Sequence, residues 1–250
     1  MKRLVLLLAG ALLMAALLSG CVTVNPAFTF GRGGSAVTGQ GTPEVYELPA
    51  GEITEIRVEL FCNIELYATF SPTVKFEVQP NMMEYIEIVE RNGVLTVRAT
   101  RNINFTNINA PVLTVGTPAL TNVTFSGAGI FTAHDVIKGE AFNFTLSGAG
   151  RGTATVDVDR VNITLSGAGA FELAGTADTA NITVAGAGGI DALSLRTREA
   201  GVSLSGVGSV KISCSDRLRI NAGGMGSVEY RGSPHVDLNR GGMVTVKQVE

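Results

Sequence analysis

Cysteine and histidine are scarce in this chain, with three and two among 250 residues. There is no Cys-x-x-Cys and no His/Cys cluster, so nothing has the spacing of a metal centre, and neither metal nor cofactor is expected. No run of basic residues occurs and the net charge is −3, which excludes nucleic acid and other acidic polymers as main partners. No apolar stretch reaches the roughly 20 residues that a membrane-spanning helix needs. Beyond Gly20 no segment has helical periodicity, which points to an all-β protein.

The first residues are of a different kind. Met1-Lys2-Arg3 is a short positive region, and Leu4 to Leu18 is a charge-free apolar run of the length of a signal-peptide core. Leu18-Ser19-Gly20-Cys21 follows directly and resembles the bacterial lipobox, in which a cysteine becomes N-terminal and lipidated after cleavage. The resemblance implies a signal peptide over 1–20 and a palmitate-type anchor on Cys21, so that the membrane is a partner through the lipid. The other reading is ordinary cleavage near Ala16, which leaves Cys21 as a free thiol. Val22 rather than Asp after the cysteine points to the outer membrane if the cell is Gram-negative, facing either periplasm or surface. Lys2 and Arg3 are the only charges before Cys21, so the remainder carries 17 basic and 22 acidic residues, a net charge of −5.

Residues 21–43, rich in glycine with Pro26 and Pro43, read as a flexible tether. From 44 to 110 short alternating runs predict a β-strand meander, and Asn92-Gly93 between two such runs predicts a hairpin. Residues 111–250 are repetitive. Anchoring on the first glycine of each Gly-x-Gly gives Gly127, Gly148, Gly167, Gly186, Gly206, Gly224 and Gly242, a nearly even series. A period of about 20 residues, kept over seven copies, is the mark of a solenoid, in which one coil cannot bury its own apolar face. The second glycines are Gly129, Gly150, Gly169, Gly188, Gly208 and Gly226; Val244 takes that place in the last copy.

Stacked as columns, the copies alternate with period two. Four before the anchor stand Val123, Phe144, Ile163, Ile182, Val202, Ile220 and Leu238, and two before it Phe125, Leu146, Leu165, Val184, Leu204, Ala222 and Arg240. Between them Thr124, Thr145, Thr164, Thr183 and Ser203, then Asn221 and Asn239, point outward, and the first five form a candidate binding face. The column four after the anchor, from Phe131 to Val246, is again mostly apolar, and the glycines mark the corner between two inward strands. The next column is Thr132, Thr153, Glu172, Asp191, Lys211, Glu229 and Lys247, an exposed charge ladder that fixes register. The chain is therefore expected to be a rod of about 30 Å, with Arg240 as part of a polar terminal cap. Cys62 and Cys214 read as two small buried thiols in strands, or as a disulfide in an oxidising compartment.

The reiterated Ser-Gly-Ala-Gly, the run VSLSGVGSVKISCSDRLRINAGGMGSVEYRGSP at 202–234 and the approach NGVLTVRAT…APVLTVGTPALTNVTFSGAG resemble the bacterial auto-transporter adhesin, head GIN domain family. The match spans roughly 45–247. The resemblance implies a right-handed parallel β-helix-like solenoid of about seven coils, related in shape to pectate lyases, with no established catalytic site and a role in adhesion. Partners then expected are a glycan or protein ligand at the cell surface, with homo-oligomerisation left open. Members often carry Asp or Asn after Gly-x-Gly, whereas Ile130, Arg151, Ala170, Gly189, Ser209 and Ser227 stand here, so a metal role gains no support.

Sharper chemistry finds less. A phosphate loop needs its glycines to open a helix and to be followed by Lys and Ser/Thr, whereas β-residues follow each copy. The competing enzyme reading is a carbohydrate-active, pectate-lyase-like one. It would use Asp157 and Asp159, either of which pairs with Asp178 one coil on, but no motif places Arg160 or Arg196 as its base. His134-Asp135 and His235 read as solvated or capping groups. Asn122, Asn143, Asn162 and Asn181 each begin Asn-x-Thr, read as side chains hydrogen-bonding between coils rather than as glycosylation sites.

Overall fold

A computed structural model describes residues 35–106 and 109–250. The expected signal peptide, Cys21 and the part of the expected tether up to residue 34 lie outside the described residues. The chain runs through β1 (Ser35–Thr38), β2 (Glu44–Leu48), β3 (Glu55–Val58), β4 (Asn63–Tyr67) and β5 (Thr73–Val78), then one helical turn, α1 (Pro80–Met83). β6 (Ile86–Arg91) and β7 (Val94–Ala99) form the expected hairpin. Asn92 and Gly93 both have positive φ, 54° and 80°, as a two-residue turn matched to strand twist demands.

β8 (Ile103–Thr106), β9 (Val112–Gly116) and β10 (Asn122–Phe125) lead into the repeats. These are β11 (Ala128–Leu146), β12 (Ala149–Leu165), β13 (Ala168–Val184), β14 (Ala187–Leu204) and β15 (Val207–Ala222), each wrapping most of a coil. The stack ends with β16 (Met225–Arg231), β17 (His235–Arg240) and β18 (Met243–Gln248). All consecutive repeat pairs are parallel, forming a β-solenoid of about seven turns.

The register follows the glycine anchors. Val123, Phe144, Ile163, Ile182, Val202, Ile220 and Leu238 are successive partners, as are the columns at Phe125 and Phe131. Their inward members fill one continuous core with those of a third side, which includes Val156, Leu195 and Cys214. Gly152 interrupts the Phe131 column because the Phe171 ring of the next coil occupies its side-chain space. A Cβ there would lie 2.2 Å from a ring carbon. Phe171 packs on Phe144 with centroids 4.3 Å apart, and Phe144 on Phe131 at 5.2 Å.

The anchor glycines have a steric cause. A Cβ on any of the seven would come within 1.7–2.1 Å of a backbone carbonyl oxygen in the preceding coil, that of Leu60 for Gly127 and of the previous anchor glycine for the others. The second glycines stack in the same way, Gly188 against Gly169 and Gly208 against Gly188 at 1.7 Å. Each corner is so tight that coil sits on coil with backbone alone between them.

The region before the repeats departs from a plain meander. β3 pairs in parallel with β10 and β7, and β4 with β11 and β9, so both solenoid sheets continue into it. Ile56, Val58 and Ile64 are fully buried and supply the inward alternation of a coil without any Gly-Ala-Gly. β5 pairs antiparallel with both β9 and β2, and β2 is the edge strand at this end. Ser35–Thr38 lies inside the stretch read as a flexible tether, yet forms β1 because the edge of β8 offers it a parallel partner. Cys62 and Cys214 are separate free thiols, both buried. Burial pushes the Cys62 thiol up to about 12.

Candidate functional surface

One side of the solenoid carries a continuous band of polar, uncharged side chains. Along the strand before each corner, outward positions hold Asn122, Thr124 and Ser126, and their equivalents repeat up the stack as far as Gly201, Ser203 and Ser205. No charged side chain occurs at these three positions across five coils, and Arg160 and Glu199 stand in the outward column at their edge. Charge returns with Glu55 and Arg57 on one side of this stretch and with Arg219 and Asp237 on the other. Thr124, Thr145, Thr164, Thr183 and Ser203 are half-buried, their backbone in the sheet and their hydroxyls turned out.

The asparagines beside them form a ladder. Asn143 Nδ2 donates to Asn122 Oδ1 at 2.8 Å, Asn162 to Asn143 at 2.7 Å, and Asn181 to Asn162 at 3.0 Å. Asn122 Nδ2 donates to Thr121 Oγ1 at 2.9 Å. The ladder stops where Gly201 follows, a site at which a Cβ would lie 2.9 Å from Asn181 Oδ1. Each amide is committed to its neighbours, which fixes register and leaves the Thr and Ser hydroxyls as the adaptable groups of this face.

The charge ladder lies past the corner in the predicted register, with Asp191 opposite Lys211 and Lys211 opposite Glu229. Among the described residues only the first of these pairs closes, at 3.4 Å, and its exposed geometry limits it to below about 1 kcal/mol.

The carboxylates of the enzyme reading fall on the third side, at an open groove of 800 Å³. Asp159 and Asp178 hold equivalent positions on adjacent coils, between the aligned pairs Val158/Ala177 and Arg160/Thr179. Asp157 instead faces Thr176, whose Oγ1 donates to its Oδ1 at 2.7 Å. Arg196 lines the groove, while Arg160 and both histidines are absent from its lining. Asp216, next to Ser215 of the lining, is held below its ordinary value by the Ser215 hydroxyl and then by Arg198 at 3.4 Å.

His134 belongs to another place. Its Nε2 bonds Glu65 Oε2, its ring stacks on Tyr67 with centroids 4.5 Å apart, and Asp135 Oδ2 accepts from the Ala68 amide at 3.0 Å. The pair clamps the first long coil onto β4 beside the irregularity between Thr132 and Val136. His235 is exposed on β17 in register with Arg217. Among the described residues, no group of three or more His, Cys, Asp or Glu is placed to hold a metal ion.

These features define a parallel β-solenoid with stacked corner glycines and one neutral band. The chain belongs to the family described as "Putative auto-transporter adhesin, head GIN domain", whose sequence profile matches residues 52–234. No curated protein matches it significantly. Among solved structures it is similar to a "putative adhesin" from Bacteroides fragilis NCTC 9343, at 20% identity and TM-score 0.80, covering 85% of this chain and 100% of that one. A "putative lipid binding protein" from Parabacteroides distasonis ATCC 8503 aligns at 18% identity and TM-score 0.69, over 86% and 100% of the two chains. A "putative adhesin" from Parabacteroides merdae ATCC 43184 aligns at 21% identity and TM-score 0.60, with the same coverage. At these identities the likeness establishes the fold.

Proposed function

We propose that this chain is a non-catalytic, lipid-anchored protein of the bacterial cell envelope that adheres through its Asn/Thr/Ser side. The observation that carries the reading is that uncharged band, kept through five coils while charges crowd the other two sides. Hydroxyls both donate and accept hydrogen bonds and are desolvated at lower cost than fixed charges. Membership of a family named for adhesins supports the same role. The anchor rests on Leu18-Ser19-Gly20-Cys21, and the partner is a glycan or protein at the surface. An outer-membrane location follows if the cell is Gram-negative.

Two experiments test this. Cells lacking the chain should attach less to glycan, matrix-protein and cell surfaces, and attachment should return with the intact chain; unchanged attachment refutes adhesion. Cys21→Ser should abolish acyl labelling and release the protein from the membrane fraction, and an unaltered membrane fraction refutes the anchor.

A further inference from the structure

The groove on the third side has features that neither the fold nor the neutral face requires. Its floor is one column of compact side chains in register, Gly139, Val158, Ala177, Thr197 and Cys214. It forms where the coils shorten, the step from Gly186 to Gly206 being longer than the step from Gly206 to Gly224. β14 accommodates the change with two register shifts against β15, between Ala192 and Arg196 and between Thr197 and Glu199. Such bulges re-aim side chains, and these two bracket Arg196 and Arg198.

Opposite charges line adjacent coils, Asp157 and Asp159 on one, Asp178 on the next, and Arg196 and Arg198 on the one after, where Arg198 is paired with Asp216. Asp159 and Asp178 stack on neighbouring strands, about 4.8 Å apart along the rod, an arrangement that repels. Neither makes a hydrogen bond or ion pair among the described residues, and Arg196, one coil further, makes none either. Exposed charges of both signs gathered in a concave site complement a ligand that carries both signs.

The lining also selects the ligand's chemistry. Backbone groups of the floor are engaged in the coil ladder, so a peptide cannot add a strand here. No aromatic or large aliphatic side chain other than Val158 lines the groove to seat an apolar residue, whereas Thr176, Ser213, Ser215 and Ser233 present hydroxyls. We infer that the groove binds, without catalysis, an oligosaccharide bearing both amines and carboxylates. Its amine sits on Asp159 and Asp178, and its carboxylate on the Arg196 guanidinium, which matches carboxylate geometry. This site is separate from the neutral face, so either can fail alone.

Three hexasaccharides titrated calorimetrically into the full chain test the inference: N-deacetylated hyaluronate with both charges, hyaluronate with carboxylates only, and a chitosan oligomer with amines only. The first should bind at least about tenfold more tightly than either of the others. Arg196→Ala should reduce it to the chitosan level, and Asp159→Asn with Asp178→Asn to the hyaluronate level. Thr164→Lys on the neutral face should leave it unchanged. All these side chains are surface groups, and matched denaturation midpoints will show that the variants remain folded. No binding by any of the three, equal binding by all, or binding by the doubly charged sugar that survives Arg196→Ala overturns the proposal.

Discussion

Gly167→Ala isolates the architectural role of the corner glycines. The new Cβ would stand 1.8 Å from Gly148 O and 2.5 Å from Ser147 O, both backbone atoms with no side-chain freedom to yield. Relief requires the two coils to part locally by more than about 1 Å, since carbon and oxygen in ordinary contact sit beyond about 3 Å. The bonds from Gly167 N to Leu146 O, 3.1 Å, and from Ala168 N to Gly148 O, 2.9 Å, then stretch or break. Leaving such groups unsatisfied costs about 1–3 kcal/mol each. Subtracting about 0.4–1 kcal/mol for the stiffer unfolded chain leaves a net loss of about 1–5 kcal/mol. Urea denaturation followed by far-ultraviolet circular dichroism measures it, with the slope monitored for loss of two-state behaviour. Two controls sharpen the test. Gly223→Ala, with nothing within 4 Å of the added carbon, should stay within about 0.5 kcal/mol of wild type. Ala168→Met adds a far larger group next door, yet Ala168 is exposed in a column that already holds Met225 and Met243, so its effect should be equally small. A Gly167→Ala protein as stable as the Gly223→Ala protein refutes the steric account.

The asparagine ladder predicts that Asn162→Ala, which removes bonds at 2.7 and 3.0 Å, costs about 1–2 kcal/mol in the same assay, and no loss would mean the ladder is idle. Phe171→Ala should cost about 3–5 kcal/mol, because its ring also fills the space above Gly152, and a cost below about 1 kcal/mol would contradict that packing. Cys62 predicts an alkaline effect: unfolded, the thiol ionises near 9.0, while the folded one holds its proton to about 12. Stability from this group is therefore complete below pH 9 and declines by about 1.4 kcal/mol per pH unit between pH 9 and 12. Wild type and Cys62→Ala compared over that window should differ by this slope, and parallel pH profiles would disprove it.

Much of the repeat was legible because two independent signals agree. The glycine anchors set the register, and period-two alternation assigns each flanking position a side, so columns as far apart as Val123 and Leu238 align without structural help. The third side carries no such anchor. Its length absorbs the variation in coil size, and the bulges at Arg196 and Glu199 that open the groove leave no trace in spacing alone. The coil beneath Gly127 was hidden for a different reason. Leu60 holds the place of an anchor glycine there, and β3 finds its partners β7 and β10 at long range, which local pattern cannot report. Asp159 and Asp178 were recognisable as neighbours on successive coils, but not that the concavity they line would also take in Arg196. His134 and Glu65 are far apart in the chain and meet only because β4 stacks beneath β11.

The central claim is that the glycines build the solenoid and the neutral face does the binding. Thr124→Lys combined with Thr164→Lys tests it most directly, placing two charges on alternate coils of that face without touching a corner. Attachment of the purified variant to an immobilised panel of glycans, matrix proteins and intact cells is compared with wild type and with Arg151→Glu, a change past the corner. The account predicts that the double variant loses attachment at an unchanged denaturation midpoint while Arg151→Glu keeps it. Wild-type attachment by the folded double variant would contradict the account.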